Sequence, residues 1–415
     1  MGKSTFQGGR FVKPLCESYC FSNILPAIET LLTDEGPLSL PADAFGENPG
    51  RYKNIVLFLV DGFGWQMFEK AYKRSAFLKR IVRRGVVSQL TAQFPSTTAA
   101  AITSLHTGLP VGKHGVYEWF YYEPRVDAVI APLLFSLAGD KARNTLQGMG
   151  VQPETIFPRT TLYERLKRKG IQPSVFTPQE DSLSPYSDVL MWGAHIVPYK
   201  TITEGLAELS TSLTKKKKPS YTLFYFDKID SLAHKHGSAS PYCEAEIDSL
   251  FFNLENAFLG KQKKSGDTLV LITADHGKID INPAKTTYLN EEIPFFEKRL
   301  QKTKRGDPIV PVGGYRDMFL HINKKFLEET YSLLNLRLKK RAHVFRVNTL
   351  AEEGFFGLAP DRHLLSERCG NLMIAPYKNN LVWWNKNKVF TVTHKSHHGG
   401  LSKEEMVIPL ISLPI

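Results

Sequence analysis

Acidic residues and histidines follow several apolar runs of the chain, in an arrangement that could hold metal ions. Asp61 comes directly after the apolar run Asn54–Val60, and Asp275 with His276 closes the run Thr268–Thr273. The other candidates, after the run 221–226 and near the C-terminus, are Asp230, His234 and His398. Several carboxylates at one sheet edge would repel one another unless a cation neutralised them. Three Asp and three His therefore predict two sets of three ligands, one for each of two metal ions.

The types of these ligands restrict the metal and the reaction. Nitrogen and oxygen donors without a thiolate suit zinc, manganese or iron, and mixed Asp/His sets with an open position are typical of catalytic zinc. Two such ions about 3.5–4 Å apart can hold the attacking and leaving oxygens of an in-line displacement. We therefore expect two divalent ions, with Zn²⁺ favoured and Mn²⁺ as the alternative, and phosphoryl-transfer chemistry.

The segment 94–100, Phe-Pro-Ser-Thr-Thr-Ala-Ala, could supply a nucleophile. Pro95 opens it, and the residues from Thr98 to Leu105 have helical character. A hydroxyl at that point would lie at a helix N-terminus, which favours bound anions, and close to a cation. An ordinary helix cap is the alternative, because Ser and Thr are common at that position.

The elements that must position these side chains form a regular alternation. Strand-like and helix-like stretches follow one another along the chain, the strands at 54–60, 86–90, 221–226, 268–273 and about 371–375, the helices at 69–83, 98–106, 161–169 and 244–259. Such alternation predicts a parallel α/β sheet with helices on both faces. In these sheets, function gathers beyond the carboxyl ends of the strands.

The domain organisation follows from where this alternation fails. Residues 1–50 are predicted to be an N-terminal extension with one helix near 23–32, and 51–415 to be the catalytic domain. Two stretches, about 117–152 and 282–368, lack a clean strand–helix rhythm. We interpret them as insertions that cap the active edge of the sheet.

Composition and charge exclude few classes of protein. The apolar share of 42% and the charged share of 23% are those of an ordinary globular protein, and the net charge of +12 favours anionic partners. Four scattered cysteines predict reduced thiols rather than a disulfide scaffold. Without an apolar run of signal-peptide or membrane-spanning length, we expect a cytoplasmic protein that does not bind membranes.

An ordered set of motifs resembles a known family. The motifs are Asp61-Gly-Phe-Gly, Phe94-Pro-Ser-Thr-Thr, Thr107-Gly-Leu-Pro with His114-Gly115, Asp230-x-x-x-His234, Asp275-His276-Gly277 and His398-Gly-Gly-Leu-Ser. Over about residues 54–412 the chain resembles the type I phosphodiesterase/nucleotide pyrophosphatase family of the alkaline phosphatase superfamily. The resemblance implies an alkaline-phosphatase-like fold, a mostly parallel central sheet with helices on both faces and a cap formed by insertions.

The resemblance also implies roles for single residues. The nucleophile would be Thr98, with its neighbour Thr97 as the alternative. One metal would be held by Asp61, Asp275 and His276, and the other by Asp230, His234 and His398, with His397 as the alternative to His398. The implied reaction is hydrolysis of a small anionic phosphate ester, such as a nucleotide, at a phosphodiester or pyrophosphate bond. It would pass through a phospho-threonine intermediate.

One position departs from the family pattern. An asparagine that contacts phosphate in better-known members corresponds to Trp119, and losing such a donor costs on the order of 3 kcal/mol of transition-state stabilisation. Lys278 could replace it, although an ordinary surface lysine is the alternative. Trp119, with the aromatic residues 120–122, could instead stack on a base or another flat leaving group, or pack in the core of the cap.

Other functions remain open at this stage. The same ligands serve phosphomonoesterases and phosphonate hydrolases, whereas sulfatases need a cysteine or serine where Thr98 stands. A basic nucleic-acid-binding protein is the non-enzymatic alternative, but the positive charge is spread rather than clustered among aromatic residues, so nucleic acid is not expected as a stable partner. The remaining histidines, among them His394, have no partner at a useful spacing and are interpreted as structural.

Overall fold

The strands of the described residues form five sheets. A computed structural model describes residues 10–46, 49–262, 265–385 and 391–415. Its strands are β1 Asn54–Val60, β2 Val86–Thr91, β3 Tyr121–Glu123, β4 Ala128–Ala131, β5 Ser136–Leu137, β6 Gln172–Pro178, β7 His195–Tyr199, β8 Ser220–Phe226, β9 Thr268–Thr273, β10 Ile279–Asp280, β11 Thr286–Tyr288, β12 Val312–Gly313, β13 Met318–Leu320, β14 Ala342–Arg346, β15 Leu372–Pro376, β16 Leu381–Trp383, β17 Ser396–His397 and β18 Val407–Pro414.

Helices of two to four turns lie between these strands, together with single turns. They are α1 Ile24–Thr33, α2 Trp65–Arg74, α3 Ala76–Arg84, α4 Thr98–Thr107, α5 Val111–His114, α6 Thr145–Gly148, α7 Pro153–Ile156, α8 Leu162–Arg168, α9 Pro185–Leu190, α10 Ile202–Lys215, α11 Lys228–His236, α12 Pro241–Asn253, α13 Leu289–Glu292, α14 Leu327–Leu338, α15 Val347–Glu352, α16 Arg362–Cys369 and α17 Lys403–Met406. In the described residues, no helix has the length and apolar character needed to cross a membrane.

The central sheet has seven strands in the order β2-β18-β9-β1-β8-β6-β7. Strands β9, β1, β8, β6 and β7 run parallel, and β18 runs antiparallel to both of its neighbours. Every residue of β1, β8 and β9 is buried, as the continuous apolar runs predict for strands covered on both faces. The predicted α/β class with a mostly parallel central sheet is therefore confirmed.

The sheet differs from the sequence-based expectation in several details. Strands β6 and β7 belong to the central sheet although no predicted run covered them. The run at 371–375 is a strand, but β15 belongs to a separate four-stranded sheet, β12-β13-β15-β14, rather than to the central one. The strand β18, which the alternation did not reveal, lies inside the central sheet. Its Pro409 and Pro414 explain the difference, because proline within a run argues against a central strand.

The stretch 69–83, expected as one helix, is divided into α2 and α3. Ser75 stands between them with extended backbone, and its side chain accepts a hydrogen bond from Leu78 N at 3.1 Å. A serine cap thus starts a second helix and redirects the chain. The helix expected near 23–32 is present as α1, while residues 1–9 of the expected extension lie outside the described residues.

The two stretches expected as insertions contain small sheets of their own. Residues 117–152 include the three-stranded sheet β3-β4-β5, and residues 282–368 include β12, β13 and β14. A second apolar core, containing Phe296, Leu320, Leu334 and Ile374, lies in this later part of the chain, apart from the main core under the central sheet. The division of the chain into an extension, a catalytic domain and cap insertions stays a prediction.

Candidate active site

The carboxyl ends of β1 and β9 bring the first group of side chains together. Because the two strands are parallel neighbours with Leu59 paired to Thr273, Asp61 and Asp275 emerge at the same sheet edge. Asp275 Oδ1 accepts hydrogen bonds from Gly62 N at 3.0 Å and His276 N at 2.9 Å. Its Oδ2 is buried and accepts no hydrogen bond from the described part of the chain.

Glycines allow the loops after these strands to touch. A Cβ on Gly64 would lie 2.3 Å from Gly277 Cα, and a Cβ on Gly277 would lie 2.1 Å from Glu404 O. Both contacts are with backbone, so a larger residue could not be accommodated by rotating a side chain. This is the physical reason for glycine in the motifs that follow Asp61 and His276.

Thr98 is the first residue of α4, and its hydroxyl faces this group. Thr98 Oγ1 lies 3.3 Å from Asp61 Oδ2 and 3.3 Å from His276 Nε2. Thr97 is the residue that caps the helix, and its hydroxyl lies 3.4 Å from both Ala100 N and Tyr117 O. The capping role and the contact with the Asp/His group therefore belong to different threonines.

Asp61 receives a hydrogen bond that the sequence did not reveal. Tyr225, the last residue but one of the apolar strand β8, donates its hydroxyl to Asp61 Oδ2 at 2.6 Å. Burial, together with the charges of Asp275 and Asp230, raises the pKa of Asp61 well above its usual range. Three carboxylates this close disfavour one another's ionisation, which is the condition that a bound cation relieves.

The second expected set is brought close together but not as one compact group. Asp230 and His234 lie on α11, one turn apart, with Asp230 Oδ2 3.3 Å from His234 Nε2. His398 Nε2 lies 3.9 Å from Asp230 Oδ1, and its ring stacks on His276 with centroids 3.7 Å apart. The His234 ring also lies near His394 and His397, with ring centroids 4.5 Å and 4.9 Å away.

Lys278 is buried in the site rather than exposed at the surface. Its ammonium group lies 2.5 Å from Asp230 Oδ1 and 3.2 Å from the Asp230 carbonyl oxygen. Burial by itself would raise the pKa of Asp230, but Lys278 and His234 outweigh it and hold the pKa well below its usual range. The surface alternative for Lys278 is wrong, and its contact with a substrate phosphate stays a prediction.

A cavity of about 340 Å³ opens beside Thr98. Trp119, which is 40% exposed, lines it, whereas the neighbouring Tyr121 and Tyr122 are buried. The aromatic run is thus divided between core packing and the cavity wall. The other lining residues include Asp61, Ile102, Leu133, Arg143, Tyr186, Met191, Asp227 and Asp230. Arg143, which no motif indicated, pairs with Asp181 at 3.0 Å on this wall.

The histidines divide differently from the sequence-based interpretation. His106, His114 and His321 are buried, as expected for structural residues. His394 instead lies beside His234 and His397, each offering one ring nitrogen within 4.8 Å of the others. Its interpretation as a structural residue rested on spacing alone, and the segment before β17 carries no periodicity that would have revealed the contact.

The donor atoms fit divalent metal ions. Asp61, Asp275 and His276 offer ligand atoms that all lie within 4.8 Å of one another, and so do Asp230, His276 and His398. These sets contain carboxylate oxygens and imidazole nitrogens only, the donors that zinc and manganese accept. Asp275 Oδ2 is buried, accepts no hydrogen bond from the described residues and lies 3.4 Å from His276 Nε2, so a cation could bind between the two atoms. The assignment of each residue to a metal stays a prediction.

Comparison with known proteins places this geometry in a family. The model of the family described as type I phosphodiesterase/nucleotide pyrophosphatase matches residues 55–401. None of the curated protein sequences matches the chain.

Solved structures share the fold at low sequence identity. Murine ectonucleotide pyrophosphatase/phosphodiesterase 5 is similar with a TM-score of 0.64 at 16% identity, over 86% of this chain and 87% of that one. The human counterpart also has a TM-score of 0.64, at 17% identity and the same coverage. Phosphonoacetate hydrolase from Sinorhizobium meliloti 1021 has a TM-score of 0.62 at 16% identity, over 88% and 92% of the two chains.

These matches agree with the motifs and with the sheet. The family match covers most of the chain, and both kinds of similar structure share its fold over at least 86% of its length. The non-enzymatic alternative is thereby excluded. The chain belongs to the type I phosphodiesterase/nucleotide pyrophosphatase family and is a hydrolytic enzyme.

Proposed function

We propose that this enzyme hydrolyses phosphodiester or nucleotide pyrophosphate bonds through a phospho-threonine intermediate on Thr98. One observation carries the proposal: Thr98 Oγ1 lies 3.3 Å from both Asp61 Oδ2 and His276 Nε2, at the edge of a cavity large enough for a substrate. A hydroxyl at the start of a ten-residue helix, beside carboxylate and imidazole groups, is suited to attack on an anionic phosphorus.

Two divalent ions complete the proposed site. Asp61, Asp275, His276 and Thr98 would hold one, and Asp230, His234 and His398 would hold the other, with Zn²⁺ favoured over Mn²⁺. When bound, these ions would compensate charge on the attacking oxygen, the leaving oxygen and the phosphate. The crowding that raises the pKa of Asp61 supports this assignment.

The protein's own residues define the two displacements. Asp61 orients the Thr98 hydroxyl and is itself fixed by Tyr225. Thr98 Oγ1 forms a bond to phosphorus while the bond to the leaving oxygen breaks, and the leaving group departs as an alcohol or a phosphate. Water then breaks the Thr98–phosphorus bond from the vacated side, which releases the phosphate product and restores the hydroxyl.

The shape of the cavity supports a diester or pyrophosphate over a small monoester. A volume of about 340 Å³ next to the nucleophile, with Ile102, Leu133 and Met191 in its wall, leaves room for a second substituent on phosphorus. Trp119 offers an exposed aromatic face to that substituent. We therefore propose a small phosphate ester with a flat group, such as a nucleotide, as the substrate.

The test compares substrates and two neighbouring threonines. The purified enzyme, supplied with zinc or manganese, is assayed on bis-p-nitrophenyl phosphate, p-nitrophenyl phosphate, a dinucleotide and phosphonoacetate. Thr98→Ala should lose at least about 1,000-fold in kcat, since a nucleophile is removed. Thr97→Ala is the matched control and should lose only a helix cap, about 1 kcal/mol of stability.

Trapping the phospho-threonine intermediate gives a second readout that does not depend on reaction rates. Rapid acid quenching during turnover, followed by peptide mass spectrometry, should find phosphate on the peptide containing Thr98. Full turnover by Thr98→Ala would disprove the nucleophile. Equal activity on the monoester and the diester would remove the phosphodiesterase assignment, and a preference for phosphonoacetate would make the enzyme a phosphonate hydrolase.

We also propose a cytoplasmic location. The support is that Cys16, Cys20, Cys243 and Cys369 are all free thiols, and the last three are buried. Unpaired cysteines of this kind are ordinary in a reducing compartment and uncommon in oxidising ones. Fractionation of cells that express the full-length protein tests the location.

A further inference from the structure

Three histidine side chains from two segments of the chain form a cluster near Asp230. His234 comes from α11, and His394 and His397 come from the segment that leads into and forms β17. Their ring centroids are separated by 4.5 Å for His234 and His394, 4.9 Å for His234 and His397, and 5.4 Å for His394 and His397. We call these three residues the histidine cluster.

Backbone carbonyls orient two of the three rings. His234 Nδ1 lies 2.9 Å from Ser396 O, and His397 Nδ1 lies 2.8 Å from His398 O. A neutral imidazole that donates its Nδ1–H to a carbonyl directs the Nε2 lone pair the other way, which is how metal-binding histidines are usually held. His394 Nδ1 is buried and has no hydrogen-bond partner within the described ranges of the chain.

The donor set of the cluster differs from that of the proposed active site. It contains three imidazoles and no carboxylate, and one ligand atom from each residue lies within 4.8 Å of the other two. Three histidines with open positions suit Zn²⁺, Ni²⁺ or Cu²⁺, whereas Mn²⁺ and Mg²⁺ prefer carboxylate oxygens. The three side chains are only partly buried, so an ion can reach them from solvent.

His234 belongs both to the histidine cluster and to the proposed active site. Its Nε2 lies 3.3 Å from Asp230 Oδ2, and the same ring offers one ligand atom to the cluster. With Nδ1 bound to the Ser396 carbonyl, the ring has a single lone pair and can bind one metal ion at a time. An ion in the cluster would therefore take His234 from the metal beside Asp230. That metal would keep Asp230 and His398 as ligands, so the number of bound ions would rise while the active site is impaired.

We propose that His234, His394 and His397 bind an additional divalent transition-metal ion in competition with the active site, so that excess zinc inhibits the enzyme. The existence of the ion site depends only on the geometry of the cluster. The inhibition rests on the proposed function, because it requires His234 to serve the metal opposite Thr98.

The first measurement counts ions and needs no activity. The full-length protein is stripped with a chelator, dialysed to equilibrium against a zinc series, and its bound zinc is measured by mass spectrometry of the metal. Wild type should bind one more zinc per chain at the highest concentrations than His394→Asn. The matched control is His236→Asn, since His236 lies on the same helix but stacks on Tyr242 at 4.0 Å, outside the cluster.

Two further comparisons keep the count interpretable. His394→Gln repeats the removal of the imidazole, and circular dichroism of each variant establishes that it is folded. In a parallel manganese series, wild type and His394→Asn should bind equal numbers of ions. Equal zinc counts in folded wild type and His394→Asn would overturn the additional site.

The second measurement follows hydrolysis of bis-p-nitrophenyl phosphate across the same zinc series. Wild-type turnover should rise and then fall as zinc increases, and His394→Asn should move the inhibitory midpoint at least tenfold higher while keeping its maximal rate. An unchanged midpoint would overturn the competition. If wild type hydrolyses nothing at any zinc concentration, the proposed function fails, while the zinc count still decides whether the additional site exists.

Discussion

The hydrogen bond from Tyr225 to Asp61 provides a sharp test of how the site is positioned. Tyr225→Phe removes one hydroxyl and keeps the buried ring. The donor and acceptor oxygens are 2.6 Å apart, and Asp61 is 3% exposed, so water cannot easily replace the donor. A hydrogen bond to a charged group contributes about 1.5–3 kcal/mol. If that contribution orients Asp61 against Thr98, kcat should fall roughly 10- to 100-fold.

The same strand offers a matched control. The hydroxyl of Tyr221, four residues earlier in β8, is buried and has no hydrogen-bond partner in the described parts of the chain. Tyr221→Phe should therefore leave kcat unchanged. Steady-state assays on bis-p-nitrophenyl phosphate give kcat and KM for both variants, and urea unfolding checks that both are folded. Equal kcat for Tyr225→Phe and wild type would refute the claim that this hydroxyl positions Asp61.

Two further predictions concern stability. Arg368 and Glu123 form a buried ion pair, each 1% exposed, so Arg368→Met should lower the free energy of unfolding by about 3–5 kcal/mol in urea titrations. Burial raises the pKa of Glu118 to about 7, so the folded chain keeps a proton that the unfolded chain loses between pH 4.5 and 7. The free energy of unfolding of the chelator-treated protein should therefore fall as pH rises through this window, and Glu118→Gln should reduce that slope.

Each of these predictions has its own control. Arg362, on the same helix as Arg368, pairs with Glu352 at the surface, with 57% and 59% of the two side chains exposed. Arg362→Met should change stability by less than about 1 kcal/mol, and a comparable loss in both arginine variants would contradict the argument from burial. For Glu118, an unchanged pH slope in Glu118→Gln would show that another group holds the proton.

The sequence was most informative where chain order determines position. Asp61 and Asp275 could be placed together because each directly follows a continuous apolar run, and parallel strands end at one sheet edge. The helix that presents Thr98 was likewise evident from the residues after Pro95. These inferences needed only local patterns and one general property of parallel sheets.

Side-chain contacts between distant parts of the chain could not be predicted from the sequence. Tyr225 lies inside an apolar strand, where an aromatic residue is ordinary, and nothing in its neighbours indicates the bond to Asp61. His394 precedes a two-residue strand, so no periodicity fixes which way it faces. The burial of Lys278 depends on Asp230, which is 48 positions away in the chain.

The contact between Gly64 and Gly277 limits how the candidate active site could be redesigned. The loops after β1 and β9 meet backbone to backbone, because a Cβ on Gly64 would lie 2.3 Å from Gly277 Cα, so the spacing between the loops leaves no room for a side chain. If the predicted ligands hold a metal ion, exchanging them would alter which cation is preferred while leaving that spacing intact. Enlarging Gly64 would spread the loops apart, enlarging Gly277 would push against the Glu404 carbonyl oxygen, and no choice of coordinating residue could then recover the original distance.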